Sequence, residues 1–305
     1  SVIDFASIGV RQMPLIIVFA LVGGAAQFVD GSLGMGFGVT SATLLTLLGY
    51  SAVAASAGTH AAKMGTTFVS GLAHWREGNV DWRVFTAIAV PGSVGAFTGA
   101  VILTNVSLDG ARLWMALILL VLGISIIMRF AFGKTLIPQI KARTRHLWPV
   151  GLFGGFVDAT GGGGWGPVAT PSLMTLTKHE PKKVVGTVNA AEFTVAVCAS
   201  MGFLVGAKES QIPWGAVAGL IIGGLIVAPF AARFAGRAPV HSLGTLVGGM
   251  VIISNLAVIF KIAGVPGAFG GAVVAVVAVV AIALAWRVHT MDVKPGEKPK
   301  SLVDA

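Results

Sequence analysis

The residues best suited to chemistry fall into two matched sets. Asp30 and Asp158 each stand just ahead of a glycine-rich stretch, Gly31-Ser-Leu-Gly-Met-Gly-Phe-Gly38 in one case and Ala159-Thr-Gly-Gly-Gly-Gly-Trp-Gly-Pro167 in the other. Thr59, His60, Lys63, Thr66 and Ser70 follow the first, and Thr187, Asn189, Glu192 and Thr194 follow the second. Thr59, Lys63, Thr66 and Ser70 recur at spacings of four, three and four, which makes one polar stripe on a helix. These residue types handle ions. Lys63 supplies charge to an anion site, hydroxyls and the Asn189 amide supply hydrogen bonds, and His60 is a titratable donor near neutral pH. Asp30, Asp158 and Glu192 are carboxylates that could carry a coupling proton or cation.

The glycines belong to the same chemistry. Gly34, Gly36, Gly162 and Gly164 permit tight backbone and close approach of a ligand, and a helix starting after them presents free N–H groups and a positive dipole end. Two such ends facing each other would hold an oxyanion. Trp165, inside the second stretch, is a candidate wall or gate. Each assignment has a structural counterpart. Asp30 and Asp158 would cap the following helix, Lys63 would pair with Glu192 and join the two sets, and the glycines would serve helix packing. Enzyme motifs are missing: His179-Glu180-Pro-Lys-Lys183 lacks the second histidine of a metal-binding helix and contains proline, and no Gly-x-Ser-x-Gly occurs. The single cysteine, Cys198, excludes a disulfide framework and a zinc site of paired thiols. Neither enzyme activity nor a cofactor is expected.

The elements that position these residues follow from composition. The chain has 305 residues, 55% hydrophobic and 11% charged, with a mean hydropathy of +0.88. Soluble domains carry roughly 25% charged residues, so this is a membrane protein. Seven runs reach the roughly 20 residues that a bilayer core requires: 52–75, 84–104, 112–132, 184–205, 214–232, 243–262 and 267–286. Two pairs are shorter, 15–30 with 39–49 and 148–158 with 168–177, and read as helical hairpins broken by glycine. Backbone can break at membrane depth only where protein or a watery cavity satisfies it, so the breaks are expected to line a site. A carboxylate there costs on the order of 2–3 kcal/mol, which makes Asp30 and Asp158 functional candidates.

Charge sets the orientation. If each hairpin returns to the side it entered, 16 of the 21 lysines and arginines lie on the cytoplasmic side, four lie outside, and Lys63 lies within a crossing. That asymmetry puts the N-terminus outside and the C-terminus in the cytoplasm. The net charge of +9 is thereby an orientation signal, and no nucleic acid is expected as partner. No basic region precedes the first apolar run, so no cleavable signal peptide is expected.

A shift of 128 residues lays Phe28-Val29-Asp30 on Phe156-Val157-Asp158, Gly34, Gly36 and Gly38 on Gly162, Gly164 and Gly166, and Gly58-Thr59 on Gly186-Thr187. The expected fold is an all-α integral membrane protein with two inverted-topology repeats, each a glycine-broken hairpin plus three transmembrane helices, and an extra C-terminal helix. Its divisions are a first repeat at 15–132, a basic cytoplasmic linker at 133–147, a second repeat at 148–262, the additional helix at 266–286 and a cytoplasmic tail at 287–305. Inverted repeats of this kind typify secondary transporters, with sites where the broken helices meet.

The doubled pattern of Gly-rich hairpin, Ala57-Gly58-Thr59 in the next helix and Gly78-Asn79-Val80-Asp81 after it resembles the TauE/SafE family of sulfite and organosulfonate exporters over about residues 15–262. Gly161-Gly-Gly-Gly164 with Pro167 and Pro171 is similar to that family's hairpin; the first hairpin lacks the glycine triplet and proline, and His60 stands where the family often has serine. The resemblance implies export of a small sulfur-containing anion, without an ATP-binding module. The alternative is a cation or metal transporter using Asp30, Asp158 and Glu192 as ligands. Lys63 against those three carboxylates leaves the bilayer interior at a formal −2, so carrying an anion requires protons or a coupling cation.

Overall fold

The computed structural model describes residues 13–133, 147–177, 179–206, 212–234 and 240–292. Among these the chain is entirely helical: α1 (Met13–Leu33), α2 (Phe37–Leu47), α3 (Ala52–Arg76), α4 (Trp82–Asn105), α5 (Leu108–Phe132), α6 (Leu147–Gly161), α7 (Trp165–Leu176), α8 (Pro181–Gly206), α9 (Trp214–Phe234), α10 (Val240–Ile262) and α11 (Gly267–Asp292). Most of the linker expected at 133–147 and of the tail at 287–305 lies outside the described residues. What is seen of the tail is helix, since α11 continues to Asp292.

Seven of the described helices are long and apolar enough to cross a membrane, namely α1, α4, α5, α8, α9, α10 and α11. The set differs from the expected one at two places. Asp30-Gly-Ser-Leu33 stays helical, so α1 reaches 21 residues and is not a short arm. Conversely α3, with 25 residues, has the length but is diluted by Ser56, Thr59, His60, Lys63, Thr66, Thr67, Ser70 and His74, all buried. Helices α2 and α7, with 11 and 12 residues, extend only about 17–18 Å and stop inside a core of about 30 Å.

Small residues set the helix contacts. α1 packs on α9 and α6 packs on α4, while α3 meets α8 and α5 meets α10. A β-carbon on Gly223 would run into the Ala20 carbonyl of α1, and one on Gly95 would run into the Leu152 carbonyl of α6. Gly99 abuts Phe156, Gly219 abuts Phe19, Gly244 abuts Phe130 and Gly248 abuts Ile127. In these three small-residue pairs the glycines let helices approach closely. α11 rests mainly on α10.

Candidate functional site

Both hairpins break in the same way. Gly34 and Gly162, equivalent in the 128-residue shift, have φ of 71° and 77°, a left-handed conformation that side chains rarely adopt. Each preceding helix then supplies an aspartate that caps the helix after the break. The Phe37 N–H donates to Asp30 Oδ1 at 3.3 Å, and the Trp165 N–H donates to Asp158 Oδ1 at 3.0 Å. Both bonds span seven residues, so each carboxylate satisfies a donor that the break would otherwise orphan.

The two breaks touch. A β-carbon on Gly38 would stand 2.6 Å from Gly163 Cα and 3.2 Å from Lys63 Nζ, and one on Gly166 would stand 2.6 Å from Met35 Cα. The Thr170 hydroxyl on α7 donates to the Gly34 carbonyl at 2.5 Å. Backbone therefore meets backbone where the helix starts face each other, and an oxyanion needs the breaks to separate before it can lie between them.

Lys63 sits at that junction, fully buried. Its ammonium donates to Asp158 Oδ1 at 2.8 Å and Oδ2 at 2.9 Å, and pairs with Glu192 Oε1 at 2.6 Å. The His60 ring approaches Asp158 Oδ2 at 3.0 Å with Nε2 and the Ser56 carbonyl at 2.8 Å with Nδ1, so both nitrogens face oxygen acceptors. Ser56 Oγ donates to the Ala159 carbonyl at 2.6 Å, tying α3 to the end of α6. One ammonium thus joins α3, α6 and α8. The sequence pointed to the Lys63–Glu192 pair; that Asp158 completes it is new, and Asp158 is the better-connected partner.

The remaining candidates divide. Asn189 belongs to the cluster: its Oδ1 accepts from Ser70 at 2.9 Å, and its Nδ2 donates to the Asp30 carbonyl at 3.4 Å and the Val185 carbonyl at 3.1 Å. Thr187 lies apart, accepting from the Asp81 N–H at 2.9 Å and donating to the Lys183 carbonyl at 2.7 Å, which fastens the turn between α3 and α4. The Trp165 ring lies in a slot beside Gly92 and Gly154, with its indole N–H donating to the Val188 carbonyl at 3.0 Å. Gly36 has a φ of 136°, while Gly164 keeps right-handed backbone and abuts Val157 and Asp158.

Several buried polar atoms have no hydrogen-bond partner: both amide atoms of Gln27, Asp30 Oδ2, and the hydroxyls of Ser32, Thr40, Ser41 and Thr59. With His74, Arg129 and Ser200 these make nine such residues among those described, and five of the nine belong to the first hairpin. Buried polar groups are normally satisfied, so unsatisfied ones mark where water or a ligand binds. Gln27 was readable beforehand as a polar residue one turn ahead of Asp30 on the same face, and Ser56 as one turn ahead of His60. Among the described residues no group of three or more histidine, cysteine, aspartate or glutamate side chains is arranged to hold a metal. Asp158 and Glu192 instead share Lys63.

Comparison with known proteins follows the same lines. The family model described as sulfite exporter TauE/SafE matches residues 19–258. The chain is 42% identical over 246 residues to YtnM of Bacillus subtilis (strain 168), named a probable membrane transporter protein, covering 80% of this chain and 82% of that one. It is 26% identical over 232 residues to YdhB of the same strain, covering 74% and 91% of the two chains. It is likewise 26% identical over 257 residues to a protein of Xylella fastidiosa (strain 9a5c), covering 78% and 93%. Both carry the same description. No solved structure matches the chain.

Proposed function

The chain belongs to the sulfite exporter TauE/SafE family of membrane transporters, and from that premise we propose that it exports a small anion, sulfite or an organosulfonate, by alternating access between two inverted halves. The observation that carries the reading is Lys63, a buried ammonium held by Asp158 and Glu192 where the two glycine breaks touch. The reciprocal packing of α1 on α9 and α6 on α4 supports two halves that move against each other. In the proposed topology the N-terminus is outside and the C-terminus cytoplasmic in the cell membrane.

In this reading the conformation described, with the two breaks in contact, is a closed one. An arriving oxyanion parts the breaks, gains the N–H groups at the starts of α2 and α7, and competes for Lys63. Glu192, which meets Lys63 through Oε1, is the carboxylate it displaces; Asp158, gripped through both oxygens, stays. Asp30, whose Oδ2 is unpartnered, takes the coupling proton or cation that offsets the surplus of carboxylates. Liposomes reconstituted with the protein and loaded in turn with sulfite, thiosulfate, sulfoacetate and sulfate test this. Flux of sulfite or sulfoacetate that Lys63→Met abolishes is the expected result; no flux of any of the four would sink the substrate assignment.

A further inference from the structure

A buried arginine on α5 has no part in the site above. Arg129 lies in the last turn of α5 and is 6% exposed. Its Nη2 reaches the Met174 thioether on α7 at 2.7 Å, and its Nη1 has no hydrogen-bond partner. Sulfur of this kind is a weak acceptor. The guanidinium also lies 5.4 Å from the Phe130 ring, but among the described residues no carboxylate pairs with it. A guanidinium so placed calls for an anion.

Beside it runs an apolar groove of about 620 Å³ between α5, α6 and α7, whose lining includes Trp114, Leu117, Val121, Ser125, Phe153 and Ser172. Val121 is 57% and Phe153 61% exposed, so in a membrane-spanning chain the groove opens toward lipid. Its ends are unlike. Arg129 is not part of the lining, but Ser125 is one turn ahead of it on α5 and so on the same face, which places the guanidinium just past the end of the groove marked by Ser125. From Trp114 to Ser125 the groove follows α5 for about 16 Å, roughly half the thickness of a bilayer core, and Arg129 lies about 6 Å further on, at headgroup depth.

The positions that match by the 128-residue shift differ. The position matching Arg129 is Ala257, and Gly249, matching Val121, is covered by Ala281 of α11. We propose that the α5–α6–α7 groove binds one phospholipid, with an acyl chain along α5 and the phosphate on Arg129. Arg129 supplies charge-assisted hydrogen bonds to phosphate oxygens, and Val121 and Phe153 supply apolar contact to the chain.

Native mass spectrometry of the purified protein, titrated with phosphatidylglycerol, phosphatidylcholine or inorganic phosphate, tests the site. One tightly held phospholipid is expected, with affinity falling about tenfold or more in Arg129→Gln. Val121→Trp fills the groove from its exposed side, where folding is not at stake, and is expected to weaken lipid binding comparably. Unchanged lipid binding by Val121→Trp overturns the proposal whether or not Arg129→Gln folds. Inorganic phosphate binding as tightly as phosphatidylglycerol, and equally in Val121→Trp, also overturns it, because the site would then hold a free anion and not a lipid.

Discussion

At the second break, Asp158 spends both oxygens, on Lys63, His60 and the Trp165 N–H, and Thr160, Thr170 and Ser172 beside it all donate to backbone carbonyls. At the first break, Asp30 holds one N–H at 3.3 Å and leaves Oδ2 bare, and Gln27, Ser32, Thr40 and Ser41 around it lack partners. The local template is shared: an aspartate, a left-handed glycine and a capped half-helix. The surroundings decide the difference. Asp158 is served by His60 and Lys63 of α3, whereas the equivalent positions of α8 carry Val188 and Ala191, which offer no side-chain donor. A buried polar group without a partner costs about 1–3 kcal/mol, so the first hairpin is the less satisfied one. The second hairpin is the more tightly tied of the two, and under the proposed function the first is the one that exchanges a proton, a cation or substrate.

The largest effect should come from breaking the more tightly tied hairpin. Asp158→Ala removes the bonds to Lys63, His60 and the Trp165 N–H together and leaves Lys63 to Glu192 alone, which is expected to cost about 3–5 kcal/mol. Asp30→Ala loses one capping bond, about 1 kcal/mol. Thermal unfolding in detergent measures both, and equal losses would erase the asymmetry between the hairpins.

The contact between the breaks comes next. A β-carbon on Gly163 lands on the Val39 nitrogen and the Gly38 carbonyl carbon, so Gly163→Ala should cost about 1–3 kcal/mol through overpacking and slow transport by opposing closure. Flux at the wild-type rate would show that the breaks need not meet during transport.

A smaller contrast pairs two equivalent threonines. Thr187→Val gives up its bonds to Asp81 and Lys183 and should lose about 1–2 kcal/mol, while Thr59→Val, whose hydroxyl is unpartnered, should be near neutral in stability. Reversal of that order in melting experiments would mean that Thr59 is satisfied in the membrane.

Smallest in stability, and most informative about coupling, is Asp30→Asn. It keeps an acceptor for Phe37 and should change stability by less than about 1 kcal/mol. Anion flux in liposomes should nevertheless cease to respond to proton or cation gradients. A response that survives in Asp30→Asn but disappears in a stably folded Asp158→Asn moves the coupling role to the second hairpin.

Much of this was legible before any coordinates. Apolar run lengths marked most of the helices, the 128-residue shift aligned the two glycine-rich stretches, and the four-three-four spacing on α3 put Thr59, Lys63, Thr66 and Ser70 on a face that is indeed buried. Local signals stop short where two helices decide together. Trp165, read as a wall or gate of the site, has its ring in a slot beside Gly92 of α4 and Gly154 of α6. Thr187, a candidate binding residue, bonds to the turn before α4. In the first hairpin, Gly31 through Leu33 read as the start of the break because glycine and serine disfavour isolated helix, but α9 packs along α1, with Ala231 against Gly31, and they stay helical.

The sequence by itself determined that this chain is a bundle of membrane helices with a carboxylate at each of two glycine breaks, because hydropathy, period and the cost of charge in lipid are local or additive properties. Only the tertiary structure decided which carboxylate is bound. Lys63 and Asp158 are 95 residues apart, and their pairing depends on α6 bringing its end against α3, while the positions of α8 matching His60 and Lys63 are Val188 and Ala191. Arg129 follows the same logic. Its positive charge is visible in the sequence, but that no carboxylate among the described residues pairs with it is visible only in the fold.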